Sequence, residues 1–241
     1  MGKRIKSRLL IWAVMGVGLL ALAISPRPAK PAVPARPAQQ TGDGLLSGRI
    51  ILVDAGHGGT DGGAWARDSG VWEKEINLQV AGKLKACLEE SGARVIMTRE
   101  EDIQFSKNKR EDLTARLKLA KEGGAQMVVC VHMNEYKSRK ESGPQVFYRK
   151  DQAQGRLLAG CLQEALIREL NPQRERSALA GDYFMLGLDV PSVLVECGFL
   201  SNPREEKLLL TEDYQNKIAR AITDGIEEFF FLAAHPAISE L

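Results

Sequence analysis

Ile50-Ile51-Leu52-Val53-Asp54-Ala55-Gly56-His57-Gly58-Gly59 runs from an apolar stretch straight into a glycine-rich loop. A short apolar run bounded by turn residues is the pattern of a buried strand, so residues 50–54 are expected to be one. Downstream, Ile76, Val80, Leu84 and Leu88 recur every four residues and predict a helix over residues 73–90 that stops at Ser91-Gly92. Strands are expected at 94–98, 126–131, 145–149 and 192–196. Helices are expected at 110–122, ending at Gly123-Gly124; at 151–170, ending at Asn171-Pro172; and at 213–230. Asn202 followed by Pro203 reads as an N-cap with proline at the first helical position. This alternation predicts a single α/β domain, a mostly parallel or mixed twisted sheet with helices on both faces. In such sheets active sites gather at the carboxyl ends of the strands. His57, His132 and Glu196 all fall at or just after the ends of expected strands.

The flanks read differently. Lys3, Arg4, Lys6 and Arg8 precede an uncharged apolar run over residues 9–24, 16 residues long. That length suits a signal peptide and a short membrane anchor alike, and Ala21-Leu22-Ala23 offers a small-x-small cleavage site. Pro26, Pro28, Pro31, Pro34 and Pro37 then favour an extended spacer. The expected organisation is an export signal or anchor at 1–25, a linker at 26–48, a catalytic domain at 49–235 and a tail at 236–241. Either reading of the first segment places the domain outside the cytoplasm, secreted or tethered, with membrane contact only through the N-terminus.

Residues 1–47 hold seven of the 33 basic residues and one of the 31 acidic ones, leaving 26 against 30 and a net charge of −4 for the remainder. A mildly acidic body without a basic, aromatic-interleaved stripe argues against nucleic acid as a partner. Cys87, Cys130, Cys161 and Cys197 lie far apart inside apolar runs, and the reading is buried free thiols.

Two imidazoles and a carboxylate leave one position of a tetrahedral zinc ion open for water. His57 and His132 supply the imidazoles. Glu73 and Glu75 compete for the carboxylate, since both open one helix but point about 200° apart around it. Glu196, which ends the apolar run Val193-Leu194-Val195, is the candidate general base. Its structural alternative is a salt bridge to Arg99 or Arg116. Asp54 is a candidate acceptor for a ligand imidazole or a turn cap, and Asn134 a candidate substrate contact or a turn residue. Arg99 and Arg116 are candidates either for supporting the ligand residues from behind or for holding glycan or peptide.

Together, Val53-Asp54-Ala55-Gly56-His57-Gly58-Gly59, Glu73-Lys74-Glu75-Ile76-Asn77-Leu78, Thr98-Arg99-Glu100, Val131-His132-Met133-Asn134 and Leu194-Val195-Glu196-Cys197-Gly198-Phe199-Leu200-Ser201-Asn202 resemble the zinc-dependent N-acetylmuramoyl-L-alanine amidases of the amidase-3 type. The resemblance covers residues 49–230. It implies a zinc-exopeptidase-like architecture and one zinc ion on His57, Glu73 and His132, so Glu73 rather than Glu75, with Glu196 as the catalytic glutamate. The implied reaction cleaves the amide between the lactyl group of N-acetylmuramic acid and L-alanine in peptidoglycan. Gly143-Pro144-Gln145-Val146-Phe147-Tyr148 and Phe199-Leu200-Ser201-Asn202-Pro203 with Tyr214-Gln215 are most similar to the spore-cortex amidases, which feed muramic-δ-lactam formation and act in the spore intermembrane space and cortex. Met133 and Cys130 depart from the family pattern without removing a ligand. The interval 135–142 is too short for the occluding helix of some cell-division relatives. With no wall-binding repeat, targeting falls to the N-terminal segment, the groove, or an activating or targeting protein partner. The competing classes are a zinc exopeptidase and a non-catalytic peptidoglycan-binding protein.

Overall fold

In the computed structural model, which describes residues 44–235, strand β1 (Ile50–Ala55) is followed by α1 (Glu73–Glu90), β2 (Arg94–Met97), α2 (Lys109–Glu122) and β3 (Met127–Asn134). Then come β4 (Gln145–Tyr148), α3 (Ala153–Leu170), the two-residue β5 (Leu179–Ala180), a short 3₁₀ turn at Phe184–Leu186, β6 (Ser192–Phe199), α4 (Pro203–Leu209) and α5 (Glu212–Ala234). The sheet order is β2-β1-β3-β6-β4-β5. β2, β1, β3 and β6 run parallel, whereas β4 lies antiparallel to β6. The sheet is therefore mixed, with a parallel centre. The expected export segment and most of the expected linker lie outside the described residues.

Side chains alternate between two cores, as the strand period of two requires. Ile51, Val53, Val129, Val131, Val193 and Val195 pack with Leu84 of α1, Leu162 of α3 and Ile222 of α5. Leu52, Val128, Cys130 and Leu194 face the other way, onto Ala120 of α2 and Met185 and Leu186 of the 3₁₀ turn. Burial on both faces explains why these strands read as unbroken apolar runs. Leu46 is fully buried and its amide bonds the Ser91 carbonyl at 2.9 Å, so the packed fold begins slightly ahead of residue 49. All four cysteines are free thiols.

Helix ends follow local chemistry. The Asn202 side chain accepts from the Arg204 and Glu205 amides, with Pro203 in the first turn. Asn171 ends α3 at φ +43°, the left-handed conformation asparagine tolerates at a C-cap. The expected ends of β3 and β6 are corrected. Both strands run on, to Asn134 and Phe199, so His132 and Glu196 lie within the ladder as direct register partners.

Candidate active site

Three segments converge at one end of the sheet. The loop after β1 brings His57, the first turn of α1 brings Glu73, and β3 brings His132. His57 Nε2 lies 3.2 Å from Glu73 Oε2, and His132 Nδ1 lies 3.0 Å from Glu73 Oε1. The two imidazoles stand nearly perpendicular, with centroids 5.0 Å apart. One ligand atom from each of the three residues falls within 4.8 Å of the others, a spacing that bonds of about 2.0–2.2 Å to one ion can satisfy. The donor set thus fits a metal. Glu75 is spent elsewhere: its carboxylate accepts from the Trp72 amide at 3.4 Å, closing the helix start.

Glu73 is held by the backbone as well. Its carboxylate accepts from the Ala64 amide at 2.8 Å, the Met133 amide at 3.1 Å and Asn77 Nδ2 at 3.1 Å. Burial pushes this carboxyl up, but the hydrogen bonds and charges of His132 and His57 outweigh burial and hold it well below the usual carboxylate range. For His132 burial acts downward, and the Glu73 carboxylate, reinforced by Glu196, wins and raises it. Protons here occupy the electrostatic role a metal cation would fill, so metal and proton compete.

The His57 loop is shaped by strain and by arginine. His57 sits at φ +62°, uncommon for a residue with a side chain. Arg99 donates to the carbonyls of Ala55 at 2.8 Å and Gly56 at 2.9 Å. Arg116 donates to those of Ala55 at 3.0 Å and His57 at 2.7 Å. Both guanidiniums are buried and hold the loop by its carbonyls, the supporting one of their two expected roles and not the substrate contact. Asp54 does not touch an imidazole. It accepts from Thr98 Oγ1 at 2.7 Å and Arg116 Nη1 at 2.9 Å, reaching His57 only through that arginine. The group beside the imidazole is Asp61, whose Oδ1 lies 2.9 Å from His57 Nδ1. Gly56 and Gly63 make room, since a Cβ on Gly56 would land in the His132 ring and one on Gly63 would strike the Glu73 carboxylate. Asn134 contributes its carbonyl to the Leu200 amide at 2.8 Å.

Glu196 sits beside His132 on the neighbouring strand. The expected alternative, a salt bridge to Arg99 or Arg116, does not form, because both arginines are committed elsewhere. Its Oε2 is buried and unpartnered. Burial pushes the carboxyl up to about 7, with Glu73 adding to the rise and His132 and His57 opposing it. A carboxyl poised near neutrality next to a metal-type cluster is suited to taking and returning a proton.

A family model described as N-acetylmuramoyl-L-alanine amidase matches residues 51–228. The germination-specific N-acetylmuramoyl-L-alanine amidase of Bacillus subtilis is 41% identical over 194 residues, 77% of this chain and 81% of that one. Among solved structures, the CwlD amidase of Clostridioides difficile, in complex with the GerS lipoprotein, is 40% identical with a TM-score of 0.70, covering 76% of this chain and 99% of that one. The catalytic domain of CwlV, an N-acetylmuramoyl-L-alanine amidase from Bacillus (Paenibacillus) polymyxa, is 29% identical with a TM-score of 0.69, covering 76% of this chain and 98% of that one. On this agreement of fold, motifs and sequence, the chain belongs to the N-acetylmuramoyl-L-alanine amidase family.

Proposed function

We propose that this amidase is zinc-dependent and acts on spore-cortex peptidoglycan, with His57, Glu73 and His132 holding one ion and Glu196 as the catalytic proton carrier. The observation that carries the reading is the convergence of that His-Glu-His set beside an unpartnered, buried carboxylate oxygen of Glu196. Zinc, when bound, supplies Lewis-acid polarisation of the scissile carbonyl and of the attacking water. Glu196 takes a proton from that water as its oxygen attacks the lactyl carbonyl carbon. It returns the proton to the departing nitrogen as the C–N bond breaks, leaving a lactyl carboxylic acid and a stem peptide with a free L-alanine amine. Glu73, fixed by three donors, and the arginine-clamped His57 loop keep the ligands in place between turnovers.

The cortex role rests on likeness to the germination-specific relative. The likeness to the CwlD amidase, solved with a lipoprotein, supports a protein partner for this chain as well. Residues 1–25 then export or anchor the enzyme, 26–48 space it from the membrane, and 49–235 carry the chemistry outside the cytoplasm. Incubating the full chain with peptidoglycan, with and without chelator and beside Glu196→Gln, tests the reading by mass spectrometry of the products. Release of stem peptides beginning with L-alanine, restored by zinc and absent in the variant, is expected. Release that persists in the variant removes Glu196 from the mechanism.

A further inference from the structure

Two tryptophans stand out beside the metal cluster. Trp65 and Trp72 are 42% and 40% exposed, and their rings meet edge to face with centroids 4.6 Å apart. Adjoining apolar rings left in solvent form a contiguous patch, the kind of surface that serves as a binding groove. We propose that they form a stacking platform for a sugar ring of the glycan strand, a reading that rests on the amidase function above.

The platform is rigid. Trp65 and Trp72 are paired as an antiparallel bridge, and the turn between them is closed by the Ala66 amide on the Val71 carbonyl at 3.0 Å and the Gly70 amide on the Ala66 carbonyl at 2.9 Å. Its tip is tied to α4: buried Glu206 accepts from the Asp68 amide at 3.1 Å and the Ser69 amide at 2.7 Å. Asp68 also takes both its oxygens to Arg139 Nη2 at 2.7 Å. Trp72 lies so close to Gly62 that a Cβ there would come within 2.5 Å of its ring. A ring pair held this way loses little freedom when a ligand docks.

Position indicates the occupant. Trp72 immediately precedes Glu73, and the Trp65 side of the turn supplies the Ala64 amide that bonds the Glu73 carboxylate at 2.8 Å. The backbone of the turn that carries the two rings is therefore joined to the metal site at Glu73. In the family's substrate the scissile amide hangs from an N-acetylated sugar, so a pyranose ring must lie next to the reacting carbonyl. The C–H face of a pyranose is apolar and weakly positive, a match for the negative face of an indole. Among the charged groups of the turn, Asp68 pairs with Arg139 and Arg67 is exposed, so it is the position of the sugar beside the scissile amide, and not charge, that indicates the occupant.

Soluble glycan strands stripped of their stem peptides test this by calorimetric titration of the full chain, wild type beside Trp65→Leu and Trp65→Phe, with metal content and circular dichroism as controls. Leucine keeps apolar bulk without a π face, and phenylalanine keeps the face. We expect binding by wild type, a loss of about tenfold in Trp65→Leu and affinity within a few-fold of wild type in Trp65→Phe. Absence of wild-type binding, or equal binding by Trp65→Leu, overturns the platform. Cleavage of intact peptidoglycan by the same wild-type preparation separates the two readings. Cleavage without strand binding overturns the platform alone, whereas strand binding without cleavage supports the platform and counts against the amidase reading.

Discussion

The site is built in two halves that hold their side chains by different means. His132 and Glu196 ride on β3 and β6, neighbouring strands in register, where the backbone ladder itself fixes their separation. His57 rides on a glycine-rich loop in a left-handed conformation, held from outside by Arg99, Arg116 and Asn77. The strand half is stiff by construction, and the loop half is stiff only while its clamp is intact. Substitutions in the strand half should strike metal binding at His132 or proton transfer at Glu196 with the fold preserved, whereas those in the loop half should strike metal affinity and stability together.

Glu196→Gln is the sharpest test of the strand half. An amide is close in shape and cannot carry the proton, so turnover should fall by about 10²–10⁴-fold, with metal content and melting of the loaded protein unchanged. A parallel loss of metal would show that Glu196 belongs to the ligand set rather than beside it. Gly56→Ala attacks the join between the halves, where the new methyl collides with the His132 ring. Displacing that imidazole should weaken metal affinity by about 10–100-fold, measured by competition with a chelator, in a protein that still folds.

Arg116→Met breaks the clamp itself. It strips the partner from Asp54, 1% exposed, and from Asp112, 9% exposed. Removing one member of a buried ion-pair network costs about 3–5 kcal/mol, so chemical denaturation should shift strongly even in metal-free protein. If the loss were confined to the metal-loaded form, the clamp would be a metal-affinity device and not part of the fold.

The same division governs what was legible from the chain. Strand-borne residues were readable because an apolar run such as Val193-Leu194-Val195 points straight at the polar residue that follows it. The run did not reveal that both strands continue past their polar residues, because a ladder tolerates a carboxylate that the hydrophobic pattern treats as a stop. The choice of Glu73 over Glu75 came from resemblance, since both open the same helix. The structure supports it through donors from Ala64 and Met133 that no local pattern encodes. Asn77 lay in plain view, one helical turn after Glu73 and on the same face, and its spacing could have marked it as a support for the carboxylate. Asp61 and the carbonyl-binding roles of Arg99 and Arg116 depend on long-range contacts; a buried arginine and a substrate-binding arginine look alike in sequence. The two-residue β5 is too short to carry any periodicity.

The pH dependence of the metal-free protein offers the finest separation of the halves. The Glu196 carboxyl is raised from 4.5 to about 7 by burial. Its contribution to stability is therefore fully present below about pH 4.5 and is lost as pH rises through 7, because the folded state must then hold a charge that the unfolded chain hydrates freely. Glu73 runs the other way: its carboxyl is held low by His132 and His57, so its contribution is present above about pH 4.5 and lost on acidification. Wild type minus Glu196→Gln isolates the first contribution, since Glu73 is common to both. In chelator-treated protein the glutamine variant should match wild type near pH 4.5 and become the more stable by about 1–3 kcal/mol above pH 7. Bound zinc should shrink that gap, because a nearby cation stabilises the ionised carboxylate and draws its titration to lower pH. A gap unaffected by zinc would place Glu196 outside the metal's field, and the proton carrier would have to be sought on the loop half of the site.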